Sequence, residues 1–232
     1  MNIVILLPYK ENFTKKNAGA VSIFVNSTNK LSKYKKNIKV FGYTTHKEIF
    51  KNYINISIKK KFLSSTTNQY LNKFKNTLKN INVDILEIHN RPNYINFLDR
   101  NIECKKFLYF HNDPQEMLGS RTVNERINIL KKTEKIIFNS NWSRSRFLDN
   151  LPINISNEKL VIIPQSTSKT KINFEKKKKI ISFVGKLNIS KGYDVFGKTI
   201  LKILDKYPDW KSVVIGDEPR EKIFSLIKIL II

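Results

Sequence analysis

Phe183-Val184-Gly185-Lys186-Leu187-Asn188-Ile189-Ser190-Lys191-Gly192-Tyr193-Asp194 is the stretch on which the reading of this chain turns. The apolar run Ile180–Val184 that leads into it ends at Gly185, where backbone can approach a ligand with no side chain in the way. Lys186 follows at once. Lys191-Gly192 then opens a helical pattern that continues to Tyr207. A strand, a turn and a helix in that order bring two cations and free helix N–H groups to the carboxyl end of a strand, where open α/β sheets bind ligands. Such a place suits a diphosphate, and cations there stabilise a phosphate as it leaves. The plainer alternative is an ordinary strand-to-helix turn with two solvated lysines among 43 Lys and Arg residues. Spacing by itself leaves both standing.

Outward from that turn the same alternation repeats. Downstream, Lys211–Gly216 reads as a strand and Glu218 onward as a helix. Upstream, strands are predicted at Ile3–Leu7, Ile38–Tyr43, Val83–His89, Lys106–His111, Lys135–Asn139 and Lys159–Pro164. Between them, Val21, Phe24, Val25, Thr28 and Leu31 share one helical face, and Tyr70, Leu71, Phe74, Leu78 and Ile81 share another. Thr122 followed by Glu125 makes a capping box, and Ser140 or Asn141 caps the helix that holds Trp142, Phe147 and Leu148. This pattern predicts an α/β chain: a complete doubly wound, Rossmann-like domain over 1–165, a polar linker over 166–179, and the beginning of a second Rossmann-like domain over 180–232. About 50 residues follow the linker, where such a domain needs on the order of 100. The second domain is therefore expected to be incomplete, and the final Ile-Lys-Ile-Leu-Ile-Ile reads as a truncated end.

Composition narrows the function classes. The chain has 232 residues, 41% of them apolar, which is ample for a core, and one cysteine, Cys104, which excludes an internal disulfide or a cysteine metal cluster. No apolar run of about 18 residues occurs, so no spanning helix is expected. The opening Met1–Phe13 reads as a first strand, not a signal peptide. A cytoplasmic chain, peripheral on the inner membrane face, fits these features. The formal charge of +24 points to polyanionic neighbours. However, Lys, Asn and Ile are abundant together, as an AT-rich coding sequence would impose. The lysines are also scattered, as in Lys33, Lys35, Lys36, Lys59 to Lys61 and Lys176 to Lys179. No nucleic-acid-binding motif accompanies them, so phosphate-bearing substrates or an anionic membrane are favoured over RNA or DNA. The absence of Gly-x-Gly-x-x-Gly after the first strand disfavours a dehydrogenase.

Phe183–Asp194 resembles the donor-domain signature of retaining GT-B glycosyltransferases, the glycosyltransferase family 4 group, whose pattern is strand-Gly-Arg-Leu-x3-Lys-Gly. Lys186 stands where that family has Arg, which keeps the charge and loses the bidentate fork. Lys191 matches the family Lys. Val213–Pro219 looks like the family's strand-Gly-Asp-Gly-Pro turn, with Glu218 in place of Gly. Asn17-Ala18-Gly19-Ala20 looks like the glycine-containing first loop, and Phe110-His111-Asn112-Asp113-Pro114 like the His-containing loop near the reacting sugar. Ile162–Ser166 occupies the hinge segment.

The resemblance implies transfer of a sugar from a nucleotide-diphosphate sugar to a surface-glycan or lipid-linked acceptor. It implies His111 and Asp113 as catalytic residues, and Lys186, Lys191, Gly185 and Gly19 at the donor diphosphate. Asn112 and Arg91 would touch the acceptor. No metal and no cofactor beyond the nucleotide-sugar substrate are implied. The family's pair of glutamates seven residues apart is not reached, which implies impaired activity or completion by another chain. The rivals are a non-catalytic remnant and a basic nucleic-acid-binding α/β protein. For His89, at the end of its strand, packing is the favoured reading.

Overall fold

The computed structural model describes residues 1–58, 65–98, 102–152, 157–166, 171, 177–216 and 230–231. The chain divides into two compact units, Met1–Thr167 and Ser168–Ile232. In the first, seven strands form one sheet: β1 (Ile3–Leu6), β2 (Ile38–Gly42), β3 (Tyr53–Asn55), β4 (Ile85–His89), β5 (Lys105–Phe110), β6 (Lys135–Phe138) and β7 (Leu160–Ile162). Their spatial order is β3-β2-β1-β4-β5-β6-β7, and every pairing is parallel. The order reverses direction between β1 and β4, which makes the carboxyl ends of those two strands the place where a doubly wound sheet takes a ligand.

Side-chain alternation splits the core into two layers. Ile3, Ile5 and Leu7 pack on one face with Val21 and Val25 of α1 (Ala20–Leu31). Val4 and Leu6 pack on the other, with Leu86, Ile88, Leu108, Phe110, Ile136 and Phe138. That second face is covered by α2 (Thr66–Leu78), α3 (Pro92–Leu98), α4 (Val123–Lys132) and α5 (Asn141–Leu148), which contribute Tyr70, Phe74, Tyr94, Ile129 and Phe147. The strands are near-continuous apolar runs because both faces of a parallel sheet are covered. Each fully buried aromatic there contributes about 2–3 kcal/mol. Local signals agree with the layers: Thr122 and Glu125 form the reciprocal capping box of α4, and the Ser140 hydroxyl accepts the Ser143 amide to cap α5.

The second unit contains a three-stranded parallel sheet of β8 (Ile180–Val184), β9 (Lys211–Ile215) and β10 (Leu230–Ile231), in the order β10-β9-β8. Its helix α6 (Tyr193–Lys206) joins β8 to β9. Phe183, Tyr193 and Phe196 pack ring to ring across that junction.

Several expectations change. β3 lies in a Lys-rich stretch where no strand is predicted, and α3 follows β4 where no helix is predicted. Leu31, expected on the buried face of α1, is the last residue of the helix and is 90% exposed. Glu218 and the Asp217-Glu218-Pro219 turn lie outside the described residues, as do Lys59 to Lys61, Lys176 and most of the expected linker. No described helix is long and apolar enough to cross a membrane.

Candidate active site

Three strand ends build the site of the first unit. A cavity of about 530 Å³ opens there, lined by Tyr9 and Lys10 after β1, Asn90 and Arg91 after β4, and Asn112, Asp113 and Met117 after β5. Asn90 makes the turn. Its backbone is left-handed, with φ +54, which Asn tolerates better than most residues. Its amide donates to the Tyr109 carbonyl at 2.8 Å, and its side-chain oxygen accepts the His111 amide at 2.9 Å. One side chain thus ties the end of β4 to the end of β5. The Arg91 guanidinium is held by the Asn90 carbonyl at 2.7 Å and lines the cavity beside the exposed Asn112.

Asp113 receives a structural task. One oxygen accepts the Gln115 amide at 2.9 Å, capping the 3-10 turn Pro114–Glu116, and the other meets the Arg146 Nε at 3.1 Å. Both oxygens are engaged. Those two contacts fix the loop that carries Asn112. Farther along that loop, Gly119 has φ +93, and a Cβ there would fall 2.6 Å from the Asn93 backbone nitrogen of α3. Only glycine meets both demands.

His111 sits beside the turn with both ring nitrogens partnered. Its Nε2 lies 2.9 Å from the His89 Nδ1, and its Nδ1 meets the Gln165 side-chain amide. The Asn139 side chain donates to the His111 carbonyl at 2.8 Å. Phe24 of α1 closes on the ring edge-on at 5.3 Å. Burial, reinforced by His89, pushes the His111 pKa down to about 3, so the imidazole is neutral at pH 7. It can accept or donate a hydrogen bond there, but it carries no charge.

At Gly19 the structure places an anion. Gly19 is the N-cap of α1, and the amide of Ser22 in the first turn donates to the Glu11 carboxylate at 3.0 Å. A Cβ on Gly19 would collide with that same carboxylate. A side chain on Gly19 would have to displace the flexible Glu11 carboxylate, and the negative charge at the helix start comes from the chain itself. The sequence reading missed Glu11, Asn90, Gln165 and the pairing of His89. Glu11 and Gln165 act across loops that no spacing rule connects. Asn90, before Arg91-Pro92, carried a usable signal, since Asn after a strand is a frequent left-handed turn residue.

In the second unit, Gly185 ends β8, its amide bonded to the Ile215 carbonyl at 3.0 Å. A 3-10 turn, Ile189–Lys191, intervenes before α6, and Gly192 at φ +73 joins the two. Lys186 and Lys191 both lie exposed in this β8–α6 connection, with no ion pair recorded for either among the described residues. No side-chain cap occupies the start of α6. Among the described residues, no three His, Cys, Asp or Glu side chains gather as a metal ion would require.

No family model matches the chain, and no curated protein matches its sequence. Solved structures do match its fold. Sucrose-phosphate synthase from Thermosynechococcus elongatus aligns over 96% of this chain and 64% of its own, with a TM-score of 0.66 and 12% identity. HepE from Anabaena, solved with UDP and glucose, aligns over 94% of this chain and 61% of its own, with a TM-score of 0.64 and 12% identity. A glycosyltransferase from Rickettsia africae covers 95% of this chain and 62% of its own, with a TM-score of 0.63 and 16% identity. UDP-N-acetylglucosamine 2-epimerases share the architecture. The fold is thus α/β and similar to that of GT-B glycosyltransferases. This chain spans somewhat over three fifths of the length of the three enzymes compared.

Proposed function

We propose that this chain serves the transfer of a sugar from a nucleotide-diphosphate sugar to a surface-glycan or lipid-linked acceptor, as a retaining glycosyltransferase of the family 4 type. In this reading the first domain, residues 1–165, faces the acceptor, and the part from 180 onward holds the donor. The observation that carries the reading is the β8–α6 connection. Two exposed lysines with no recorded acidic partner and an uncapped helix start lie beyond the carboxyl end of a parallel strand, within a GT-B-like fold. Lys186 and Lys191 bind the diphosphate and offset its growing charge as the glycosidic bond breaks. Gly185 leaves room for the phosphates.

His111 lies against the reacting sugar as a neutral hydrogen-bonding group. Arg91 and Asn112 orient the acceptor in the cavity after β1, β4 and β5, where a guanidinium suits a phosphate or carboxylate. The basic surface seats the protein on an anionic membrane face.

The shared fold of UDP-sugar epimerases supplies the competing reading. Incubation with UDP-glucose, UDP-N-acetylglucosamine and GDP-mannose, with water as default acceptor, separates the two. Release of free sugar and nucleoside diphosphate is expected, with the anomer of the donor retained on first release. Conversion of a UDP-sugar to its epimer would replace the transferase reading.

A further inference from the structure

Four polar side chains of the first unit form one line, and its chemistry fixes a direction. On β4, Glu87 and His89 are two residues apart and therefore on the same face of the sheet. The Glu87 carboxylate lies 3.7 Å from the His89 Nε2, the His89 Nδ1 lies 2.9 Å from the His111 Nε2, and the His111 Nδ1 meets the Gln165 amide. His89 is 1% exposed, and its Nε2 is a buried nitrogen with no hydrogen-bond partner within ordinary reach. A lone pair aimed at a carboxylate is repelled, whereas an N–H aimed at one is attracted. The proton of His89 therefore sits on Nε2, toward Glu87. Its Nδ1 is then an acceptor, so the His111 Nε2 must donate. That leaves the His111 Nδ1 as an acceptor, and the amide nitrogen of Gln165 is the donor that faces it. With the His89 Nε2–H turned toward the Glu87 carboxylate, both hydrogen bonds of the line have one donor and one acceptor when they run from Gln165 through His111 to His89.

We propose that Glu87 and His89 are positioning residues that lock His111 in its neutral, Nε2-protonated tautomer. The Nδ1 lone pair is thus the group offered to a ligand hydroxyl, and the Gln165 amide covers it until a ligand replaces it. Tyr109 stacks on His89 with ring centres 4.6 Å apart and is kept protonated by burial, so it adds no charge to the line. Phe24 covers the pair from α1 with an apolar ring. With Tyr109 neutral, Glu87 is the charged group recorded against the two imidazoles among the described residues. The hydroxyl part of this inference rests on the proposed sugar-binding site; the tautomer part does not.

Long-range 1H–15N spectra of the 15N-labelled chain test it directly. The chain holds three histidines, and His46→Gln identifies the resonances of the pair. At pH 7 the wild type should show both His89 and His111 protonated at Nε2 and bare at Nδ1. Protonation of either ring at Nδ1, or at both nitrogens, would overturn the proposal. Glu87→Gln, close to isosteric, removes the charge that sets the direction, and an Nδ1-protonated fraction of His111 should appear. A single unchanged tautomer in that variant would remove Glu87 from its assigned role. Glucose and UDP-glucose, added separately, should move the bare Nδ1 resonance of His111. If the tautomers are as stated and neither ligand moves that resonance, the lock stands and both the hydroxyl role and the sugar-site reading fail.

Discussion

Glu11 and Gly19 are fitted to each other: the carboxylate of one fills the space that a side chain on the other would need, and it accepts the Ser22 amide at 3.0 Å. A Glu11→Gln variant keeps the shape and loses the charge at the amino end of α1, which should lower stability by about 0.3–1 kcal/mol. Chemical denaturation measures the difference. A variant as stable as the wild type would show that the carboxylate adds nothing to the helix start.

The depressed pKa of His111 makes stability depend on pH. The folded state resists protonation down to about 3, while the unfolded chain protonates near 6.5. Between those values the unfolded state binds more protons, so stability falls as pH falls, by up to about 1.4 kcal/mol per unit from this group. Above 6.5 the group contributes no slope. His111→Asn should therefore narrow its stability gap to the wild type on going from pH 7 to pH 5. Urea midpoints at the two values check this, and a gap of constant size would mean that His111 titrates normally in the fold.

Gly119 presses against the backbone of Asn93 in a left-handed conformation. Gly119→Ala should cost about 1–3 kcal/mol from backbone strain alone, with the contact adding to it. The damage should also reach the cavity, whose wall includes Asn93, Met117 and Leu118. Denaturation measures the first effect. A variant as stable as the wild type would show that the loop moves freely from α3.

The alternating pattern of the chain was legible because each element declares itself locally. Runs such as Ile3–Leu6 and Lys135–Phe138 are buried on both faces, and Thr122 with Glu125 caps its helix through neighbours three residues apart. β3 escaped because Tyr53–Asn55 is three residues long at the sheet edge, and α3 because seven residues starting at Pro92 give less than two turns of periodicity. The site divides in the same way. Gly185, Lys186 and Lys191 stand out because glycine and lysine at a strand-to-helix turn have a local reason. The Glu11–Ser22 bond, the His89–His111 pair and the Gln165–His111 contact join residues 11, 22 and 54 positions apart. Nothing in the sequence registers such bonds until the strands are side by side.

The central claim is that the β8–α6 connection holds a nucleoside diphosphate. Calorimetric titration of UDP and GDP into the wild type, beside a Lys186→Ala/Lys191→Ala variant, tests it most directly. One of the two nucleotides should bind the wild type, and the variant should bind it at least roughly a hundredfold more weakly, since each charge-assisted contact is worth about 1.5–3 kcal/mol. A folded variant that binds as tightly as the wild type would contradict the claim, as would a folded wild type that binds neither nucleotide.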